Sequence, residues 1–142
     1  LKDIWEDQER GACWLPRDVF EQEGFNLDNL GQSHKNFEQG LVRLIGLAHA
    51  HLCNAFQYTL MIPAYDTGIR KFCLWALGMA VLTLQKINRN RNFTHSKQVK
   101  ISRKNVKATI IISSLTVRND FLLKNFFNAS RAGLPFTKIA DS

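Results

Sequence analysis

Proline and cysteine are scarce in this chain, and long apolar runs are missing. Three prolines and eight glycines among 142 residues that are 45% hydrophobic exclude collagen-like, low-complexity and disordered chains, and leave enough for one modest globular domain. The three cysteines, Cys13, Cys53 and Cys73, form no C-x-x-C pair and sit among apolar neighbours. That argues against a disulfide framework or structural zinc site and for reduced, packed thiols. The longest apolar run, Phe72 to Leu84, covers 13 residues, short of the roughly 18 to 20 that cross a bilayer. No transmembrane segment is expected, and the chain reads as cytoplasmic or membrane-peripheral. Acid is scarce too, but only locally: residues 1–38 hold nine of the 12 Asp and Glu and carry −5, so the remaining 104 residues carry +12.

What is present reads as helix. Lys2 to Arg10 is rich in helix formers, and Gly11 and Pro16 stop it. Leu1 opens inside what reads as a running helical pattern with no N-cap before it, so the chain is expected to be part of something longer. A loop with short helical turns is expected to about Ser33. Leu41, Leu44, Ile45, Ala48, Leu52, Ala55, Phe56 and Thr59 then keep one stripe over more than five turns, ending at Pro63. Asp66 or Thr67 can cap a helix to about Lys86 that is apolar nearly all round and is expected to be buried on every side. After a polar loop from Asn88 to Ser96, Ser102 is set to cap a helix whose inner face carries Val106, Ile110, Ser113 and Val117. Asn119 or Asp120 is set to cap a last one with Phe121, Leu122, Asn125, Phe126 and Ala129 inward, ended by Gly133 and Pro135. No hairpin signal competes, so the expected fold is all-α, with residues 1–142 forming one domain or part of one.

Asp3 and Asp7 stand at i and i+4 on one helix face, where like charges cost roughly 0.2 to 0.5 kcal/mol. Glu6 has Lys2 four residues before it and Arg10 four after, so surface pairing can satisfy it; Asp3 has no base at +3 or +4, and Asp7 has only Arg10. Two stacked carboxylates with little cationic support are either a solvated acidic face or ligands for a hard divalent cation. Magnesium takes one or two carboxylates and fills its other positions with water and substrate phosphate.

The neighbours of the pair add more. Asp3-Ile4-Trp5-Glu6-Asp7, with Arg10-Gly11 and Trp14-Leu15-Pro16 after it, resembles the second aspartate-rich motif of the squalene and phytoene synthase family, a D-x-x-x-D followed by G-x-x-(aromatic)-L-P. Phe72-Cys73, Met79-Ala80, Thr83-Leu84 and Val99-Lys100-Ile101 continue the likeness, toward the squalene synthase branch in particular. The resemblance implies an all-α isoprenoid synthase-type bundle around a deep apolar cavity, with two aspartate-rich motifs facing across its mouth. One of the two is here, and no second D-x-x-x-D follows it, so the chain is expected to be the C-terminal half of such a synthase, inactive alone.

The resemblance further implies Mg²⁺ on Asp3 and Asp7, farnesyl diphosphate as substrate, NADPH as reductant and Phe72 as a cavity wall beside the carbocation. Many relatives carry Arg where Ala12 stands, which leaves Arg10 or Arg17 as the diphosphate contact. Lys100 would face the phosphates of NADPH, with Lys2 at a position that is basic in squalene synthases and Arg103 one place beyond the family's second base, where Ser102 stands. A phytoene synthase taking geranylgeranyl diphosphate without reductant, and a non-catalytic helical remnant or binding module, are the alternatives.

The other features have plainer readings. Lys86 to Lys107 holds eight bases and no acid, but only Phe93 interrupts it, so the interleaved aromatics of a single-strand platform are missing and no nucleic-acid partner is expected. A solvated basic face fits it better, and the resemblance offers a third reading, with Lys100 at the cofactor phosphates; peripheral membrane association for release of an apolar product is a separate expectation. His49 and His51 lie two apart, on different helix faces, which argues against shared metal ligation. Phe72, Trp75, Tyr58 and Phe56 are each either core or cavity wall, and Cys73 reads as packing.

Overall fold

The computed structural model describes residues 1–31 and 35–138, and among them there is no strand. The chain is all-α, as expected. Seven helices follow in order: α1 (Ile4–Glu9), α2 (Arg17–Glu21), α3 (Lys35–Met61), α4 (Thr67–Arg89), α5 (Ser96–Val99), α6 (Arg103–Thr116) and α7 (Asp120–Arg131), with a 3-10 turn at Leu27–Asn29. The loop expected to end near Ser33 ends outside the described residues.

The long antiparallel pair α3 and α4 is the scaffold. The 27 residues of α3 make a rod of about 40 Å, and its stripe buries Leu41, Ile45 and Phe56 as the periodicity predicts. Pro63 ends it just after Met61. α1 and α2 pack at one end of this pair, closing a core of Ile4, Phe20, Phe25, Phe37, Leu41, Ile45, Val81, Ile87, Phe93 and Val99. α6 and α7 pack at the other end over a smaller cluster of Phe56, Leu74, Leu77, Val117 and Leu123. Gly78 lets α6 approach closely: a Cβ there would lie 2.4 Å from the methyl of Thr109.

Several sequence expectations change. α1 begins at Ile4 with Asp3 at its N-cap position, so Leu1 is not inside a helix. Ser102 and Asn119 are the caps, accepting from the backbone N–H of Asn105 and Leu122 at 3.1 Å each. The α7 face is reversed: Leu123 is buried while Phe121 is 71% exposed. Phe56 of α3 stacks on Phe127 at 4.1 Å between centroids, and this contact fixes the rotation of α7. On α6 the inner face runs through Thr109, Ser113 and Thr116, while Ile110 is partly exposed. Cys13 is exposed, not packed; Cys53 and Cys73 are half-buried and all three are free thiols.

α4 is the largest departure. It is not buried on every side: Ile69, Phe72, Ala76 and Met79 form an exposed row along it. By length and composition alone it would also pass as a membrane span, with mean hydropathy 1.3 over an 18-residue window. The uninterrupted apolar run, Phe72 to Leu84, is shorter than that window. In this fold its remaining faces pack on α3, α6 and α7.

Candidate active-site turn

Asp3 and Asp7 are one helical turn apart, joined by a 2.9 Å hydrogen bond from the Asp7 N–H to the Asp3 carbonyl. The turn that follows is fixed by Gly11 at φ +73°, a conformation costly for any residue with a Cβ. Gly11 N–H bonds the Gln8 carbonyl and Ala12 N–H the Asp7 carbonyl, both at 2.9 Å, which closes α1 with a Schellman motif. Asp7 therefore sits where α1 turns into the Trp14-Leu15-Pro16 loop, beside a cavity of about 40 Å³ that Ile4, Ala12, Trp14 and Leu30 also line.

The cations around the pair differ from the sequence reading. Lys2, expected to serve Glu6, pairs with Asp3 instead. Arg10 lies 4.0 Å from Asp7. Arg17 pairs with Asp28 at 2.9 Å, which raises the Arg17 pKa and lowers that of Asp28, and both side chains of this pair are exposed. The Asp3 side chain is 53% exposed and that of Asp7 29%, leaving both carboxylates open to solvent.

Glu6 does something spacing did not suggest. Its Oε1 accepts a 2.8 Å bond from the backbone N–H of Ser96, the first residue of α5, and its Oε2 is buried. Hydrogen bonding from the Ser96 side chain, then from the Ser96 backbone, lowers the Glu6 pKa to about 2. One residue earlier, Trp5 Nε1 donates to the Phe93 carbonyl at 2.6 Å. Together they tie α1 to the segment that leads into Val99-Lys100-Ile101. The loop expected to be polar is anchored, with Phe93 almost completely buried, 1% exposed, against Trp5. A tryptophan and a glutamate inside the aspartate motif were the only sequence signals for these ties.

Two regions of resemblance are thus neighbours in space. The residue-matching family model, that of squalene/phytoene synthase, covers residues 1–105. The chain belongs to the squalene/phytoene synthase family. No curated protein and no solved structure matches it. Members of this family carry out squalene/phytoene synthase-type transfer on prenyl diphosphates, and the match takes in α1 through α5 and the first turn of α6.

The remaining candidates divide. Phe72 is 71% exposed on the outer row of α4, so it is not core. Lys100 and Arg103 are exposed and form no ion pair among the described residues. Phe56 is core, Tyr58 is exposed, and Trp75 is half-buried with an unpartnered indole N–H. His49 is a packing residue whose Nδ1 lies 2.8 Å from the Pro135 carbonyl, while His51 is exposed. Among the described residues no group of three or more His, Cys, Asp or Glu is placed to hold a metal. Asp3 and Asp7, although Lys2 pairs with the first and Arg10 lies beside the second, are carboxylates of the kind that magnesium takes, its other ligands coming from water and substrate.

Proposed function

We propose that this chain supplies one aspartate-rich turn and one apolar wall of a squalene synthase-type site, where two farnesyl diphosphates are joined head to head to presqualene diphosphate and then, with NADPH, reduced to squalene. The observation that carries the reading is the tie between α1 and the Val99-Lys100-Ile101 segment, through Glu6–Ser96 and Trp5–Phe93. It joins the helix that carries the carboxylate pair to the loop that leads into the basic segment, which supports a site handling both a diphosphate and a phosphate-bearing reductant.

Asp3 and Asp7 are the residues that would hold Mg²⁺, which when bound neutralises charge on the departing diphosphate. Lys2, already on Asp3, and Arg10, beside Asp7, orient the carboxylates and add positive charge at the mouth. Lys100 and Arg103 would receive the phosphates of NADPH. The exposed row of Ile69, Phe72 and Met79 supplies an apolar wall: hydrocarbon binds there, and an aromatic face stabilises a carbocation without offering it a nucleophile. A second aspartate motif, missing from this sequence, would face the first from a longer polypeptide, with its helices covering that row.

The test uses the intact protein with farnesyl diphosphate and Mg²⁺, with and without NADPH, and identifies the hydrocarbon. Squalene only with NADPH is expected. Asp3→Asn and Asp7→Asn should each abolish turnover while leaving helicity nearly unchanged. Phe72→Leu should lower product formation more than diphosphate binding. Efficient conversion of geranylgeranyl diphosphate to phytoene without reductant overturns the squalene assignment. Near-normal turnover by both Asp variants overturns the metal assignment.

A further inference from the structure

A second apolar space lies away from the aspartate turn. It is a cleft of about 300 Å³ between α4, α6 and α7, walled by Leu74, Leu77, Ile112, Leu123, Phe126 and Phe127. Along α4 it follows Leu74, Leu77, Gly78 and Leu82, whereas the exposed row follows Ile69, Phe72, Ala76 and Met79. At 100° per residue those two sets lie on opposite sides of the helix. The cleft is therefore separate from the wall assigned to the prenyl reaction.

Its lining is more apolar than its residue names suggest. Thr109, Ser113 and Thr116 all border it, yet each hydroxyl donates to a carbonyl of its own helix, at 3.0, 2.6 and 2.7 Å. Ser130 does the same with the Phe127 carbonyl at 2.9 Å. No hydroxyl proton is left to point into the space. From Leu74 to Leu82 the cleft extends about 12 Å along α4, the reach of one medium-length apolar tail. Its volume lies at the small end of the roughly 300–1,000 Å³ typical of ligand pockets.

The two ends differ in polarity. Phe56, Leu74 and Leu123 close one end, while the Asn105 carboxamide stands at the other. Lys104 precedes the rim residue Ala108 by one turn and Lys107 adjoins it; both lysines are exposed and without an ion pair among the described residues. No acid occurs from Thr67 to Asn119, a stretch with 11 Lys and Arg. We propose that this cleft binds a single apolar chain bearing an anionic headgroup, tail toward Leu74 and head toward Asn105 and Lys104, as a site independent of the aspartate turn.

The experiment titrates the intact protein calorimetrically in EDTA, so that no divalent cation supports binding at Asp3 and Asp7. The probes are dodecyl phosphate, farnesyl diphosphate and dodecanol. Dodecyl phosphate binding is expected, at least tenfold weaker in Ala108→Trp, which fills the rim from an exposed position. Ala108→Leu, a milder filling whose fold is checked by circular dichroism, should give an intermediate loss. Lys104→Glu should weaken dodecyl phosphate severalfold and leave dodecanol unchanged. Farnesyl diphosphate binding as tightly, with the same variant pattern, assigns the site to prenyl phosphates; weaker binding assigns it to acyl-type lipids. Asp3→Asn should change none of these affinities. Loss of binding in Asp3→Asn, no effect of either Ala108 variant, or no binding by the intact protein, as when another part of the polypeptide fills the cleft, overturns the proposal.

Discussion

The two ends of the α3–α4 scaffold are built differently. At the α1–α2 end the phenylalanines turn inward, although Trp14 in the turn stays exposed: Phe20 is fully buried, stacked on Phe37 with centroids 5.4 Å apart and edge-on to Phe25 at 6.4 Å. At the α6–α7 end the buried cluster has five residues, and Ile111, Leu115 and Phe121 face outward. The closed end carries the carboxylate turn, which needs a rigid base because one helical turn must keep two like charges in register. The open end carries the cleft and unpartnered apolar surface, features suited to binding rather than to holding a geometry.

That contrast predicts unequal responses to the same truncation. Phe20→Ala should cost about 3–5 kcal/mol, the range for deleting a fully packed aromatic, whereas Phe121→Ala at the open end should stay within about 0.5 kcal/mol. Urea denaturation of both variants measures the difference. Equal losses would mean that Phe121 is covered in solution and that the open end is not open.

The open end does have one strong tie. Arg70 of α4 is 1% exposed, and its guanidinium pairs with Asp120 in the first turn of α7, where the helix dipole also favours a carboxylate. Its Nε has no partner. Asp120→Ala would leave a buried guanidinium unpaired at a cost of about 1–3 kcal/mol, moderated by the half-exposed position of Asp120. Arg70→Met removes the charge along with the need for a partner and should cost less. If Asp120→Ala proves the milder change, water already satisfies Arg70 and the pair does not hold α7.

These features were unequally legible in the sequence. α3 could be read because its stripe recurs over many turns, and the Asp3/Asp7 pair because both residues lie within one turn. The family could be read because its motifs recur in order. The face of α7 could not: Phe121, Leu122, Leu123, Phe126 and Phe127 offer two apolar registers, and only the stacking of Phe56 on Phe127, 71 positions apart in the chain, selects one. The exposed row of α4 was hidden for the opposite reason, since a helix apolar all round gives periodicity nothing to select. Glu6 was misread because its partner, Ser96, is 90 residues away, while Lys2 and Arg10 stood at the helical spacing that usually matters.

Glu6 gives the smallest expected shift and the sharpest test of how the closed end is joined. Its pKa falls from 4.5 to about 2 in the folded chain, so it binds fewer protons folded than unfolded over that range. The sign follows: its contribution is complete above pH 4.5 and is lost as pH drops toward 2. Glu6→Gln should therefore lower the urea midpoint at pH 7, and the gap from the wild type should close on acidification. Asp28 is also lowered by its bond to Arg17, so both chains should carry Asp28→Asn to isolate the Glu6 effect. Faster amide exchange confined to residues 93–99 would accompany the loss, because the Glu6 carboxylate holds the first N–H of α5. A gap that widens on acidification, or faster exchange spread over α6 and α7, would show that Glu6 does not join α1 to this loop.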